Sequence, residues 1–363
     1  LFRSVWHFNV SDRPDGAGGL EHLSSTEIGL ASGVGPRCVA VMAHEFFHLW
    51  NVKRIRSRVL GPFDYTTLPT TGALWWLEGV TDYYTYLLLQ RYGWSDEPKF
   101  MADIMRNVEN LRSNPGRLEI SPYDSSFKVR EANNGRGNSQ GLKVSYYTTG
   151  WVLGMILDLN ILDATDTKRS LDDVEWALWQ QCKNDKPGFA EDEIRKQCVK
   201  FGGDALGVLY DKIVMQPGEL PVEEALAKAG LKIAEVDTTT IEYPFEFQSA
   251  RSSGGARVTK GDDKSGLKVG DVIVRVGTAS LENIGAGKIE KLLLAAKEAS
   301  SVHLTVKRAT DGSTTAFEVD VTPGTITRKV KKVVSDPAAS SRQLAVRAAW
   351  YKGKVSKRVM NGG

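Results

Sequence analysis

Val39-Ala40-Val41-Met42-Ala43-His44-Glu45-Phe46-Phe47-His48-Leu49-Trp50 is the stretch on which the reading of this 363-residue chain turns. Gly35-Pro36 precedes it, and proline suits the first turn of a helix, so the pattern predicts a helix from Pro36 to about Lys53. Residues four apart share a helix face, which lets the imidazoles of His44 and His48 reach one metal ion. Glu45 stands one position along and can act as a base toward water at that metal. Only five histidines occur in the chain, and two of them fall in one turn of an otherwise apolar segment. Ordinary packing would leave both rings and the Glu45 carboxylate in need of partners there, so the metal reading is preferred.

A catalytic metal needs a third protein ligand and one open position. The next apolar run, Leu74-Trp75-Trp76-Leu77-Glu78-Gly79-Val80-Thr81-Asp82-Tyr83-Tyr84, lies within a second predicted helix from Ala73 to about Tyr92. Glu78 is a lone carboxylate after bulky apolar residues. Asp82 lies one turn on, on the same face, and can fix a ligand histidine's tautomer by accepting from its far nitrogen. Glu119, Asp124 and Glu131 are rival third ligands with weaker context.

Outward from these helices, residues 1–30 read as short strands, with Val5 to Val10 alternating and a glycine-rich turn at Asp15 to Gly19. A third helix starts after Ser95-Asp96 and ends near Asn114-Pro115-Gly116. Residues 117–144 are polar and read as a long loop, and helical patterns resume at 146–162, 170–183, 190–201 and 221–229. After Leu231 the texture changes to short β-branched segments, Asp271 to Val276 and Val302 to Lys307, around one helix at about Gly287 to Ala299. That is the pattern of a small α+β module. From Arg328 onward ten Lys/Arg stand against one acid, which makes the remainder of the chain net acidic. The domain reading is therefore a residual β edge over 1–30, a mainly helical domain over 31–231, an α+β module over 232–327 and a basic tail over 328–363. The tail is expected as a solvated extension, with Gln343 to Trp350 as a short docking helix.

Composition narrows the classes. Hydrophobic residues at 41% and charged residues at 25% describe a globular protein. The best apolar run, Trp151 to Leu162, is short and broken by Asp158, so no membrane span is expected. A net charge of +3 is too small to argue for nucleic acid, and none is expected as a partner. Three cysteines exclude a disulfide scaffold. Cys182 and Cys198 lie on neighbouring predicted helices and can pair if these form a hairpin, with Cys38 left free. The reading is of a soluble protein whose compartment (periplasmic, secreted or cytoplasmic) stays open.

His44 through Arg56, followed by Gly61-Pro62-Phe63-Asp64-Tyr65 and Leu74-Trp75-Trp76-Leu77-Glu78-Gly79, resembles the glycyl aminopeptidase family of zinc metallopeptidases, within the thermolysin-like gluzincins. The resemblance continues through Ser145 to Gly150, Leu157-Asp158-Leu159, Ser170 to Val174 and Glu219-Leu220-Pro221, covering roughly residues 5–232. It implies an α+β fold: a mainly helical thermolysin-like catalytic domain with a short N-terminal edge sheet. It also implies one zinc ion per chain, held by His44, His48 and Glu78, with Glu45 as general base and Asp82 behind a ligand histidine. Tyr147 is similar in context to the tyrosine that donates to the oxyanion in aminopeptidase-N-like enzymes, although Thr149 stands where a lysine is usual and Tyr146 is an adjacent competitor.

Gly18-Gly19-Leu20-Glu21 is similar to the glycine-rich edge strand of the same clan. There the glycines bring backbone close to substrate and the glutamate pairs with the free α-ammonium, which assigns Gly18, Gly19 and Glu21 to substrate binding. Related enzymes carry a β-rich domain before this strand, so such a domain is expected ahead of Leu1. Ser265-Gly266-Leu267-Lys268-Val269-Gly270-Asp271-Val272-Ile273 is similar to a PDZ signature, which implies a groove able to take a peptide C-terminus or strand. The resulting expectation is a zinc aminopeptidase acting on peptides with a free N-terminus, with Gly or Ala there. The alternatives are an endopeptidase of the same fold and a non-catalytic PDZ-type peptide-binding protein with a structural metal.

Overall fold

The computed structural model describes residues 4–10, 18–30, 36–64, 66–128, 144–184, 186–250, 255–261, 265–281, 289, 292–293, 295, 301–310 and 313–353. The chain forms two compact units, Leu1–Ala234 together with Lys331–Gly363, and Glu235–Val330. The second unit is thus an insertion in the first. The mixed α+β architecture of the chain agrees with the class expected from the sequence.

The first unit opens with strands β1 (Val5–Val10), β2 (Gly18–Glu21) and β3 (Ser25–Leu30) in the order β1-β3-β2, β1 parallel and β2 antiparallel to β3. Helix α1 (Pro36–His48) follows, with Cys38, Val41 and Met42 packed against Ile28 and Leu30 of the sheet. Then come a wide π-helical turn over Trp75–Val80, α2 (Thr81–Arg91) and α3 (Glu97–Arg112), the last capped by the Asp96 side chain on Lys99 N–H. Next are α4 (Pro122–Ser126), α5 (Tyr146–Ala164), α6 (Leu171–Cys182), α7 (Glu193–Gly202), α8 (Asp204–Val214) and α9 (Val222–Lys228). Helix α5 is apolar all round, and 14 of its 19 residues are buried, so it forms the axis on which the other helices pack.

The helix expected over Ala73 to Tyr92 is present as one helical run, but its first part, Trp75–Val80, is π-helical. A Cβ at Gly79 would collide with the Gly150 backbone, and one at Gly150 with the Trp75 carbonyl, so the turn and α5 cross where neither has a side chain. Wide turns of this kind recur at functional sites. Helix α1 also ends earlier than expected, at His48, and Asn51 and Ile55 form a bridge just beyond it.

The chain leaves the first unit along β4 (Leu231–Glu242). The second unit holds β5 (Phe245–Ala250), β6 (Gly255–Gly261), β7 (Val272–Val276), β8 (Ala279–Ser280), β9 (Val302–Thr310) and β10 (Ser313–Val321), ordered β10-β9-β7-β6-β5 with β8 on β7. Most of the helix expected over Gly287 to Ala299 lies outside the described residues. The chain returns along β11 (Gly324–Ser335), which pairs with β4, and ends its described part in α10 (Ser341–Lys352).

Two expectations are corrected here. Residues 331–353 belong to the first unit and are not a solvated extension, and the docking helix expected over Gln343 to Trp350 is present as α10. Trp350 of α10 is fully buried, its Nε1–H donates to Tyr83 Oη at 2.6 Å, and Arg342 binds Asp163 at 3.0 Å, so the basic side chains pair with the body. Cys182 and Cys198 do not pair. Both are buried free thiols, as is Cys38, and burial pushes the Cys198 thiol up to about 12. Among the described residues no helix is long and apolar enough to cross a membrane.

Candidate metal centre and active site

Helix α1 presents His44 and His48 one turn apart, their rings 4.5 Å between centroids and nearly perpendicular. The π turn brings Glu78 to them. Its Oε2 lies 3.4 Å from His44 Nε2 and 3.2 Å from His48 Nε2. The far nitrogens are occupied, because His48 Nδ1–H donates to the Asn51 carbonyl at 2.6 Å and His44 Nδ1 lies 3.3 Å from Asp82 Oδ1. With its proton on Nδ1, His48 turns a lone pair toward a carboxylate oxygen that also carries lone pairs. That facing requires a cation in the gap, either a proton or a metal ion. The donor set of two imidazoles and one carboxylate, all within 4.8 Å, fits a divalent metal with an open position.

Electrostatics point the same way. Burial opposes the charged form of His44, but Asp82 and Glu78 outweigh it and push the imidazole up to about 10. Burial likewise works against charge on His48, and Glu78 raises it nonetheless. For Glu78, burial would raise the carboxyl, yet the charge of His48 and the hydrogen bonds from both rings hold it well below the usual range. The cluster is built to hold positive charge.

Glu45 projects from α1 beside this group and is 6% exposed. Its Oε2 is buried with no hydrogen-bond partner, and burial pushes the carboxyl up to about 7 against the opposing charges of His48 and His44. Gly19 of β2 lies directly over it, since a Cβ there would collide with the Glu45 side chain. Gly18 needs its glycine for a different reason, a positive φ of 147°. Glu21 ends the same strand, and a carboxylate oxygen of Glu21 lies within 4.8 Å of Glu45 and His48 ligand atoms. Its Oε1 pairs with Lys53 Nζ at 2.9 Å, and Lys53 also sits 4.6 Å from the Phe63 ring centroid.

Tyr147, in the first turn of α5, has its ring 6.1 Å from that of His44 and is 39% exposed. Burial, the Glu78 charge and a hydrogen bond to Glu78 push its phenol far up, so it keeps its proton. Tyr146 stacks on it at 5.0 Å but is buried itself, with burial raising its phenol to about 12. The structure therefore gathers His44, Glu45, His48, Glu78, Asp82, Glu21, Gly19 and Tyr147 into one cluster. Asp124 is used elsewhere, accepting from Ser121 Oγ at 2.7 Å, and Glu119 is in neither candidate metal-holding group. Glu131 lies outside the described residues.

Sequence reasoning missed two residues of the cluster, Lys53 and Asn51. Asn51 is fully buried and bonds to both α1 and the π turn, and a polar residue three positions after the second histidine of the motif was the available signal.

A helix face with two imidazoles and a carboxylate from a neighbouring turn, roofed by an edge strand, makes a candidate metal-binding site. Residues 37–153 match the family model of the M61 glycyl aminopeptidases, so the expected resemblance to that family is borne out over those residues, which span α1, the π turn and the start of α5, while the PDZ resemblance has no match. In fold, the chain is similar to the crystal structure of an aminopeptidase N family protein from Idiomarina loihiensis, with a TM-score of 0.62 and 19% identity. That alignment covers 96% of this chain and 62% of the other, so the chain spans about three fifths of that protein's length. No curated protein sequence matches significantly.

Proposed function

We propose that this chain is a zinc-dependent aminopeptidase that removes N-terminal residues, Gly or Ala among them, from peptides. The observation that carries the reading is the convergence of His44 Nε2, His48 Nε2 and Glu78 Oε2 beside a buried Glu45 carboxylate with an unpartnered oxygen. The family match over the same residues supports a peptidase. His44, His48 and Glu78 would hold the metal, which when bound acts as a Lewis acid on the scissile carbonyl and lowers the pKa of water at the site to about 7.

The remaining work falls to the chain. Glu45, with a carboxyl near neutrality, takes a proton from water as its oxygen adds to the carbonyl carbon, and returns that proton to the amine nitrogen as the C–N bond breaks. Tyr147 keeps its phenol proton and donates to the oxyanion. Asp82 and the Asn51 carbonyl fix the orientation of the two imidazoles. Glu21, anchored by Lys53 through Oε1, offers its second oxygen to a substrate α-ammonium at the edge of β2.

The endopeptidase alternative draws on that same Lys53–Glu21 pair, which already satisfies one charge of the amine site. A free dipeptide amide and its N-acetylated form separate the two readings. Hydrolysis of the free amine alone, abolished by chelator and restored by zinc, is expected. Equal cleavage of both forms makes it an endopeptidase, and cleavage indifferent to chelator removes the metal mechanism.

A further inference from the structure

Asn51 is 0% exposed and touches both elements that supply metal-site groups. Its carbonyl accepts the Nδ1–H of His48 at 2.6 Å. Its side-chain Nδ2 donates to the Trp76 carbonyl at 3.2 Å and to Thr81 Oγ1 at 3.0 Å. Trp76 on the π turn and Thr81 at the start of α2 bracket Glu78. Thr81 Oγ1 in turn donates to the Leu77 carbonyl at 2.7 Å, one residue before the ligand. Asn51 is itself tied down, since its N–H donates to the Phe47 carbonyl at 3.1 Å and it bridges to Ile55.

Packing alone does not account for an asparagine here. Its Oδ1 is buried without a hydrogen-bond partner, so an apolar residue of similar volume would avoid burying an unmet acceptor. The position carries that penalty while using both protons of Nδ2. One of those protons reaches the wide turn, where the Trp76 carbonyl accepts from outside the helix. Asn51 Nδ2 meets it and thereby sets how far the Glu78 segment stands from the end of α1.

We infer that Asn51, acting with Thr81, is a positioning residue of the metal site. It fixes the tautomer of His48 through its carbonyl and holds the π turn through its amide, so that Glu78 Oε2 arrives 3.2 Å from His48 Nε2. The inference rests on the metal-binding part of the function proposed above and is independent of peptidase activity. Hydrogen-bond partners behind a ligand are worth ~10–100-fold in metal affinity when removed.

The test uses the full chain and zinc alone as probe. Zinc Kd by chelator competition, and the melting temperature with and without zinc, are measured for wild type, Asn51→Leu, Thr81→Val and Thr81→Ser. Asn51→Leu and Thr81→Val are expected to weaken zinc ~10–100-fold and to shrink the zinc-induced rise in melting temperature, with the zinc-free circular dichroism unchanged. Thr81→Ser keeps the hydroxyl and is expected to retain wild-type affinity. Wild-type affinity in folded Asn51→Leu and Thr81→Val overturns the proposal. So does a drop in zinc-free stability with the full zinc-induced rise intact, which marks a packing role. Should Asn51→Leu not fold, Thr81→Val against Thr81→Ser decides. A wild type that binds no zinc overturns the proposal, whereas one that shows these shifts but cleaves no peptide refutes only the peptidase reading.

Discussion

Helix α2 has a buried polar cluster on either side of its first turn, and consecutive residues serve them. Asp82 faces the cluster of His44, His48, Glu78 and Glu45. Tyr83 faces the other, where Trp350 Nε1–H donates to Tyr83 Oη at 2.6 Å and Tyr83 Oη donates to Asp158 Oδ2 at 2.6 Å. Asp158 Oδ1 accepts the Leu171 N–H at 2.8 Å, while Arg91 binds Asp172 and the Trp350 carbonyl at 3.2 and 3.0 Å. In this second cluster each donor ends on an acceptor, and the chain closes on itself. In the first, three ligand atoms point at one another and a Glu45 oxygen meets nothing. Buried polar groups that satisfy one another hold a fold together, whereas those that converge on a gap are arranged for something absent from the chain.

That contrast can be broken most sharply at Glu45. Glu45→Gln is expected to lower turnover ~10²–10⁴-fold, as for loss of a general acid–base. Zinc stoichiometry and melting temperature should hold, since no hydrogen bond is lost from Oε2. Metal analysis and a steady-state peptidase assay on the same sample check it, and retained turnover would place the chemistry elsewhere. Trp350→Ala should do the reverse. Removing a buried tryptophan costs about 3–5 kcal/mol, readable by denaturant unfolding, while zinc affinity per folded molecule stays at the wild-type value. A parallel loss of affinity would show that the two clusters are coupled through α2.

Two smaller effects sharpen the picture. Gly19→Ala places a methyl against Glu45, and a misplacement of this size is worth up to about 10²-fold in kcat, expected with zinc binding intact. Single-turnover rates beside zinc titrations would reveal it. Glu175 of α6 is a third case, a buried acid in neither cluster. Burial pushes its carboxyl from 4.5 up to about 8, aided by the charge of Asp172. The folded state therefore keeps a proton that the unfolded chain releases across this range, so stability is lost as pH rises through it and levels off above. Glu175→Gln lacks that loss, and its advantage in melting temperature over wild type should widen from pH 5 to pH 8.5. A constant difference would mean that Glu175 is ionised in the fold.

Much of the first cluster was legible because its information is local. The i, i+4 spacing of His44 and His48 places both rings on one face before any tertiary contact is known. Glu78 was visible as a carboxylate among tryptophans. The π turn was not, because Trp75 to Val80 reads equally well as an ordinary helix, and the glycine it packs against, Gly150, lies on another element. Lys53 and Glu21 are 32 positions apart and meet only once β2 is laid beside α1. The C-terminal stretch was legible only in part: the docking helix ending at Trp350 could be read, but not that its Arg342 and Arg347 pair with Asp163 and Glu97, partners that come from distant segments.

The insertion of the second unit also has a consequence for the order of assembly. Trp350 and Tyr83 are 267 residues apart, and Arg91 and Trp350 are 259, with Glu235–Val330 lying between. On a ribosome the helices bearing the metal-site residues emerge long before α10 does. The Tyr83 knot stays open, its polar groups wet, until the intervening unit has been made. Maturing this core thus includes the closure of a very long loop, a slow kind of contact, and it falls to the helix that the sequence marks for docking within its basic stretch.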